Sequence, residues 1–551
     1  MTTVDPLTLA VVRGRLEQIA DEMDTVFERM AFSPVISDAW DRADGIYSAT
    51  DGSVIVQGER GLPIFVGTMQ FTVASVLASV SDIAQGDTYL VNDPFAGGTH
   101  IMDTKMVRPF FYRGELFAML ANTGHWTDLG GRVPGGFGAQ ASDCYQEGLR
   151  IPPVRLFTDD TLNTDILAIL QTNSRLPDDV MGDVDAQASA LRAGEDRLTE
   201  LLDEYGTDVV RDVIDTLRRR SADQMRAQIR DIADGSYRFT EVMDNDGITD
   251  RELEVAVEIT VVGDKMTVDF SRSSAPCEGP MNSVHAATVS SSVVAIKHIF
   301  PDIPINSGIF EPLEFIIPET VFLNAKPPRP VAGCAAETSQ RIITAVMGAL
   351  AEAVPRRSQA GSSATSNNLS IGGVDQDGEP FVMYVFLGGG YGAHPAGDGL
   401  SNGCSLMSIG LVQSIEILEQ RYPVQFNQYS LRDDSFGTGQ FRGGLGVHFE
   451  FEYTGETGRM SLLGDQAKTA PVGRAGGSNG STSAPWFRLD GQTSTLPMIS
   501  KGEAVSIRKG DVICMQTPGG GGYGDPHDRH PDHVTADHEN GYTSLVAPAP
   551  R

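Results

Sequence analysis

Apolar residues recur at Leu9, Val12, Leu16, Ile19, Met23, Val26 and Met30, a spacing of three and four that places them on one face of a helix. Asp5-Pro6 supplies its start, a capping carboxylate followed by a proline in the first turn. The stretch SDAWDRADGIYSATDGSVIVQ then predicts a hairpin turning at Asp51-Gly52, with Asp38, Asp41 and Asp44 ahead of it. Residues 65–83 read as a second amphipathic helix, and TYLVNDP as a strand. Two short apolar runs, Met106 to Tyr112 and Leu116 to Ala121, flank Arg113-Gly114 and predict another β-hairpin.

From about Leu162 to Arg230 the pattern is helical, broken at Pro177 and Gly206, and predicts a long helical hairpin or bundle with core-facing stripes. At Gly235 the period changes from helical to alternating, and an antiparallel sheet is expected. Residues 281–300 look helical, 301–330 are rich in proline and are expected to wrap over the surface, and a helix restarts near Ala336. A glycine-rich strand and loop, a helix through Leu418 and strands to Tyr453 follow, and the last strand ends in TPGGGGYGDP. The fold class is therefore α+β and multidomain. The expected division is 1–235, an α+β unit with the second hairpin and the helical segment; 236–330, β-rich; 331–525, α+β with glycine loops; and 526–551, a mobile tail. The loops at 388–403 and 519–524 are expected to offer backbone to a partner.

Length agrees, because 551 residues exceed what one core supports and suggest two to four domains. A net charge of −31 repels nucleic acid phosphates and anionic membranes, so neither is an expected partner. No run approaches the ~18 apolar residues of a membrane span, and the opening MTTVDPLTLAVVRGRLEQ lacks a signal-peptide pattern, so a cytoplasmic location is expected. The five cysteines form no CxxC and read as reduced, buried or half-buried small side chains.

Candidate chemistry concentrates at the second hairpin. His100 and Asp103 stand at its open end, the returning strand delivers His125 there, and Asp128 follows closely. Two imidazoles and a carboxylate beside glycine-freed backbone are a ligand set for a divalent metal that keeps a position open for water. Capping or surface roles fit the same spacing. Asp41 or Asp44 would complete such a site, although the sequence alone favours solvated loop charges. His527, His530, His533 and His538 lie among Asp and Pro near the C-terminus and are expected to be solvated. No GxxxxGK[ST] loop or GxSxG elbow occurs, and Gly519, Gly521 and Gly524 match GxGxxG without the strand-turn-helix context it needs.

The ordered motifs NDPFAGGTHIMD, GHWTDLGGRVPGG, QEGLRIPPVRL, GDVDAQASA, VDFSRSS, GGGYGAHPAGDGLSN, YSLRDDSFGTGQFRGGLG and TPGGGGYGDP resemble the B subunits of the hydantoinase/oxoprolinase family. That family also takes in lactamases, acetone and acetophenone carboxylase alpha subunits, and the C-terminal half of eukaryotic 5-oxoprolinase. The resemblance implies a divalent metal on His100, Asp103 and His125, joined by Asp41 with Asp44 as the alternative, and Asp128 orienting a ligand or accepting a proton. It further implies a partner A subunit that binds ATP and magnesium and phosphorylates a carbonyl oxygen, within a hetero-oligomer. The expected activity is ATP-dependent hydrolysis of a small cyclic amide, with zinc as the expected metal and manganese or iron as alternatives. A component of a ketone carboxylase and a non-catalytic scaffold for the ATPase partner are the competing readings.

Overall fold

The structure is a computed structural model that describes residues 4–544. The first helix, Pro6–Met30, starts where expected, with the Asp5 side chain accepting from Thr8 N. Leu9, Val12, Leu16, Ile19 and Met23 are buried, but the stripe ends on Phe27, leaving Val26 half-buried and Met30 exposed. The helix packs against Pro177–Tyr205 so closely that a Cβ on Gly194 would lie 2.4 Å from Met23 Sδ.

The hairpin is longer than its apolar runs, Asp103–Tyr112 paired with Glu115–His125, and it occupies the middle of a seven-stranded sheet. One face of that sheet packs Met106, Phe110 and Leu120 with Val12, Leu16 and Leu191. The other packs Val107, Met119 and Ala121 with Phe65, Met69 and Val73 of helix Pro63–Ser79. Both faces are covered, which is why these strands read as continuous apolar runs and not as an alternation. The helical region breaks at the two predicted residues, giving Thr164–Asn173, Pro177–Tyr205 and Thr207–Arg230.

The sheet expected after Gly235 is present as Gly235–Met243, Leu253–Val262 and Lys265–Asp269, antiparallel in sequence. A fourth strand, Leu313–Ile316, adds parallel to it, so the proline-rich stretch is not only a surface wrap, and Phe322 and Leu323 are fully buried. Helix His285–Ile299 packs on helix Ser339–Ala353, which lies across this sheet. One apolar cluster thus joins Met225 and Ile229, Val255 and Ile259, and Ile342 and Val346. The packing is continuous across the expected divisions near 235 and 330, because the sheet's inner face is covered by helices from both sides in sequence. Two further sheets, four-stranded and five-stranded, enclose a separate core around Phe449, Phe451 and Met460.

The glycine loops and the tail are more closely packed than their sequences suggest. The glycines of the two loops pack on one another. Gly444 N donates to Tyr391 O at 2.8 Å and Gly520 N to Gly444 O at 2.9 Å, and a Cβ on Gly520 would fall 1.9 Å from Tyr391 O. The expected mobile tail is docked as far as Ser544. Arg529 bridges Asp398 and Asp537, Arg442 also reaches Asp537, and helix Pro531–Glu539 is held in place by these pairs. Residues 545–551 of that segment lie outside the described residues. All five cysteines are free, four of them buried and Cys404 half-buried. No helix among the described residues is long and apolar enough to cross a membrane.

Candidate metal centre

Strand pairing assembles the site. Asp103 begins one strand of the central hairpin and His125 ends the other, and the two are register partners. His100 arrives from the turn before Asp103, where Gly97 sits at φ 91 and a Cβ would lie 2.4 Å from the Phe71 carbonyl carbon, so only glycine fits. Asp41 immediately precedes strand Arg42–Ser48, which pairs with Glu115–His125, and His125 N donates to Asp41 O at 3.0 Å.

The donor atoms converge. His100 Nε2 is 3.1 Å from Asp103 Oδ2, and His125 Nδ1 is 3.3 Å from Asp103 Oδ1 and 3.8 Å from Asp41 Oδ2. One donor each from His100, Asp103 and His125 falls within 4.8 Å of the others. Bonds of about 2.0–2.2 Å to one cation place neighbouring donors roughly 3–3.5 Å apart, so the spacing fits a divalent metal. All four side chains are buried, and Asp41, His100 and Asp103 border a cavity of about 20 Å³, room for roughly one water.

Electrostatics follow from burial. Burial pushes the Asp103 carboxyl up, but His100, His125 and Lys105 outweigh it and hold the group well below the usual carboxylate range. Burial pushes Asp41 up to about 7, with Asp103 adding and His125 opposing. Lys105, whose Nζ donates to Asp103 O at 3.0 Å, is pulled down to about 8 by burial against the pull of Asp103. Thr99 Oγ1 also donates to Asp103 Oδ2.

The two carboxylates offered by the first hairpin separate in space. Neither is a solvated loop charge, since Asp41 is 9% and Asp44 0% exposed. Strand Arg42–Ser48 pairs along its whole length with Glu115–His125, and Val54–Gln57 pairs its other edge from Gly45 onward. Asp44 shares a strand face with Arg42, which is paired to Asp24 at 2.9 Å, and burial together with Asp24 raises its carboxyl well above the usual range. It is not part of the ligand cluster.

Asp128 is placed differently from the expectation that it orients a ligand or takes a proton. Its Oδ1 accepts from Gly130 N and Arg175 N, and its Oδ2 from Gly135 N and Arg175 Nη1, all within 3.1 Å. Both oxygens are engaged in shaping the glycine loop, which leaves none directed at the cluster. His527, His530, His533 and His538 are on the docked tail and outside it too.

The sequence did not indicate the aromatic wall. Phe137 and Tyr384 stack on the His125 ring with centroids 5.7 and 5.0 Å away, and on each other at 4.9 Å. The Tyr384 hydroxyl donates to Asn368 Oδ1 at 2.8 Å, and Asn368 Nδ2 donates to Glu337 Oε1 at 2.9 Å. Burial raises Glu337 to about 8, with Asp465 adding. Phe137 sits one residue past GRVPGG and was within reach of the motif; Tyr384 comes from strand Pro380–Val385 and carries no local signal.

The hydantoinase B/oxoprolinase family profile matches residues 5–526. The chain is 34% identical to the beta subunit of caprolactamase from Pseudomonas jessenii, over 99% of this chain and 95% of that one. It is 29% identical to the B subunit of a putative D-/L-hydantoinase from Pseudomonas sp. (strain NS671), over 98% and 93%. The crystal structure of the ATP-dependent caprolactamase from Pseudomonas jessenii superimposes with a TM-score of 0.90 at 32% identity, over 99% of this chain and 96% of that one. A nucleotide-free acetone carboxylase structure matches with a TM-score of 0.91 at 21% identity, over 98% and 79%, which is a likeness of fold alone.

Proposed function

We propose, for a chain that belongs to the hydantoinase B/oxoprolinase family, that it is the metal-binding subunit of an ATP-dependent hydrolase of small cyclic amides. The observation that carries this reading is the convergence of His100, Asp103 and His125 on one buried point beside Asp41. Two imidazoles with carboxylates suit zinc, manganese or ferrous iron, and zinc is the assignment for a hydrolase. A divalent cation bound there polarises a carbonyl and lowers the pKa of water toward ~7.

The chain's own residues position and insulate. Phe137 and Tyr384 fix the plane of the His125 ring, Thr99 fixes the Asp103 carboxylate, and the Lys105 ammonium on the Asp103 carbonyl offsets negative charge in a dry interior. Asp103 stays anionic and so remains a donor at neutral pH. The cavity of about 20 Å³ admits a water and no ring, so substrate entry requires walls such as Phe386 and Met407 to move.

An unactivated amide is a poor electrophile, and phosphorylation of its oxygen by an ATP-binding A subunit leaves a carbon open to water. No GxxxxGK[ST] loop occurs in the sequence, and on this reading that step belongs to the partner. The test is reconstitution with the A subunit on a panel of lactams and hydantoins. Ring opening that requires both chains, ATP and metal is expected, with no ATP hydrolysis by this chain alone. Robust ATPase activity of the isolated chain, or carbon from bicarbonate appearing in product, would overturn the reading, the latter in favour of a ketone carboxylase.

A further inference from the structure

Strands Val447–Tyr453 and Val512–Gln516 pair antiparallel, with His448 opposite Gln516 and Glu450 opposite Cys514. Opposed residues of such a pair share a face. The four side chains therefore form a square on the face turned away from the core that Phe449, Phe451, Ile513 and Met515 fill. This square lies in the five-stranded sheet, whereas the His100–Asp103–His125 cluster is in the seven-stranded one.

Three of the four carry metal-ligand atoms, and these are already gathered. His448 Nε2 is 3.2 Å from Glu450 Oε2 and 3.5 Å from Cys514 Sγ, and one donor from each residue falls within 4.8 Å of the others. Around a tetrahedral zinc, with Zn–S about 2.3 Å and Zn–N or Zn–O about 2.0–2.1 Å, neighbouring donors lie roughly 3.3–3.6 Å apart. Cys514 is buried, while the His448 and Glu450 side chains are 17% and 20% exposed, so the fourth position faces solvent.

The surroundings suit ligation better than nucleophilic catalysis. A Cys–His–acid triad needs thiol and carboxylate on opposite ring nitrogens, and here both approach Nε2. The Gln516 amide lies 3.2 Å from His448 Nδ1, and a half-turn of that amide offers its oxygen to Nδ1–H, the tautomer that leaves the Nε2 lone pair free. Asn427 Nδ2 donates to the other Glu450 oxygen at 3.1 Å and steadies it.

We propose that His448, Glu450 and Cys514 form a second metal site, for a thiophilic divalent cation of the zinc or cobalt class, with solvent water as the fourth donor. On binding, the Cys514 S–H bond breaks, an S–metal bond forms and the proton passes to solvent, with no change of oxidation state. Burial, with Glu450 adding and Arg432 opposing, raises the metal-free thiol to about 12. Uptake therefore releases a proton, and affinity rises with pH.

Cobalt(II) titration of the full chain, read by the thiolate-to-cobalt charge-transfer band and by bound metal after equilibrium dialysis, tests this. Wild type is expected to show the band and two equivalents. Cys514→Ser and His448→Ala are expected to lose the band and one equivalent, whereas His125→Ala loses an equivalent and keeps the band. Glu450→Gln, near-isosteric at a side chain 20% exposed, is expected to weaken cobalt binding at the thiolate site at least tenfold. Absence of the band in wild type, its survival in Cys514→Ser, or unchanged affinity in Glu450→Gln would overturn the proposal. Loss of the His125 equivalent alone bears only on the other site.

Discussion

Asp103 and His125 face each other as the last register pair of the central hairpin, with Asp103 Oδ1 and His125 Nδ1 3.3 Å apart. The candidate site is therefore set by strand register, since a slip of one residue would send His125 to the other face of the sheet. The covered apolar faces around Met106 and Val107 make that slip costly, and so core packing and ligand geometry are one constraint.

Asp41 and Asp44 are three residues apart and should behave differently. Asp41→Asn is expected to weaken metal binding at least ~10-fold, because its carboxylate lies 3.8 Å from His125 Nδ1. Asp44→Asn is expected to leave metal content unchanged, because it substitutes an isosteric neutral group for a carboxyl that burial already raises well above the usual range. Elemental analysis of the two variants side by side decides between them.

Asp128→Asn tests whether that carboxylate shapes the loop or serves the chemistry. It loses the charge paired with Arg175 at 2.9 Å and weakens four hydrogen bonds, so a stability loss of about 1–3 kcal/mol is expected with metal stoichiometry retained. A variant of unchanged melting temperature that binds metal but does not turn over would return Asp128 to the catalytic role.

The sequence was most legible where one short signal fixes geometry. Asp5-Pro6, Pro177 and Gly206 marked helix ends because caps, proline and glycine act locally. The hairpin turn at Arg113-Gly114 put His100, Asp103 and His125 together for the same reason. Tyr384 was not legible, since it reaches His125 from a strand more than 250 residues away and an aromatic on a buried strand reads only as core. The loop-shaping contacts of Asp128 and the mutual packing of the glycine loops were not legible, because close internal packing sets both. A carboxylate beside glycines can as well order them as face a ligand, and glycines in separate loops can as well pack together as admit a partner.

That packing is testable at Gly520. A Cβ there meets Tyr391 O at 1.9 Å and Tyr391 C at 2.3 Å, backbone atoms held by neighbouring loops, so Gly520→Ala is expected to cost more than ~3 kcal/mol or to abolish soluble expression. Gly14→Ala is the control: nothing lies within 4 Å of its Cβ position, and in a helix interior the change should stabilise by about 0.5–1 kcal/mol. Thermal melts of the two variants would contradict the account if Gly520→Ala were as stable as wild type.

Glu147 gives a pH dependence of known sign. Burial raises its carboxyl from the ordinary 4.5 to about 8, against the backbone donors Val331 N and Ala332 N on Oε1. A raised folded value means its contribution to stability is full below pH ~4.5 and is lost as pH rises toward 8, because the folded chain binds the proton more tightly. Glu147→Gln keeps the acceptor and removes the titration. Relative to wild type it should gain on the order of 4 kcal/mol between pH 5 and pH 9. Parallel melting curves of the two proteins across that range would contradict the assignment.

The metal content of His125→Ala tests the central claim most directly. The substitution removes one donor of the cluster at a strand end and leaves the apolar faces of the hairpin intact, so soluble protein with unaltered circular dichroism is expected. Elemental analysis after dialysis against zinc should show one equivalent fewer than wild type and no coupled turnover with the A subunit. His530→Ala, on the docked tail, should match wild type in both. Wild-type metal content in His125→Ala, with turnover intact, would contradict the account.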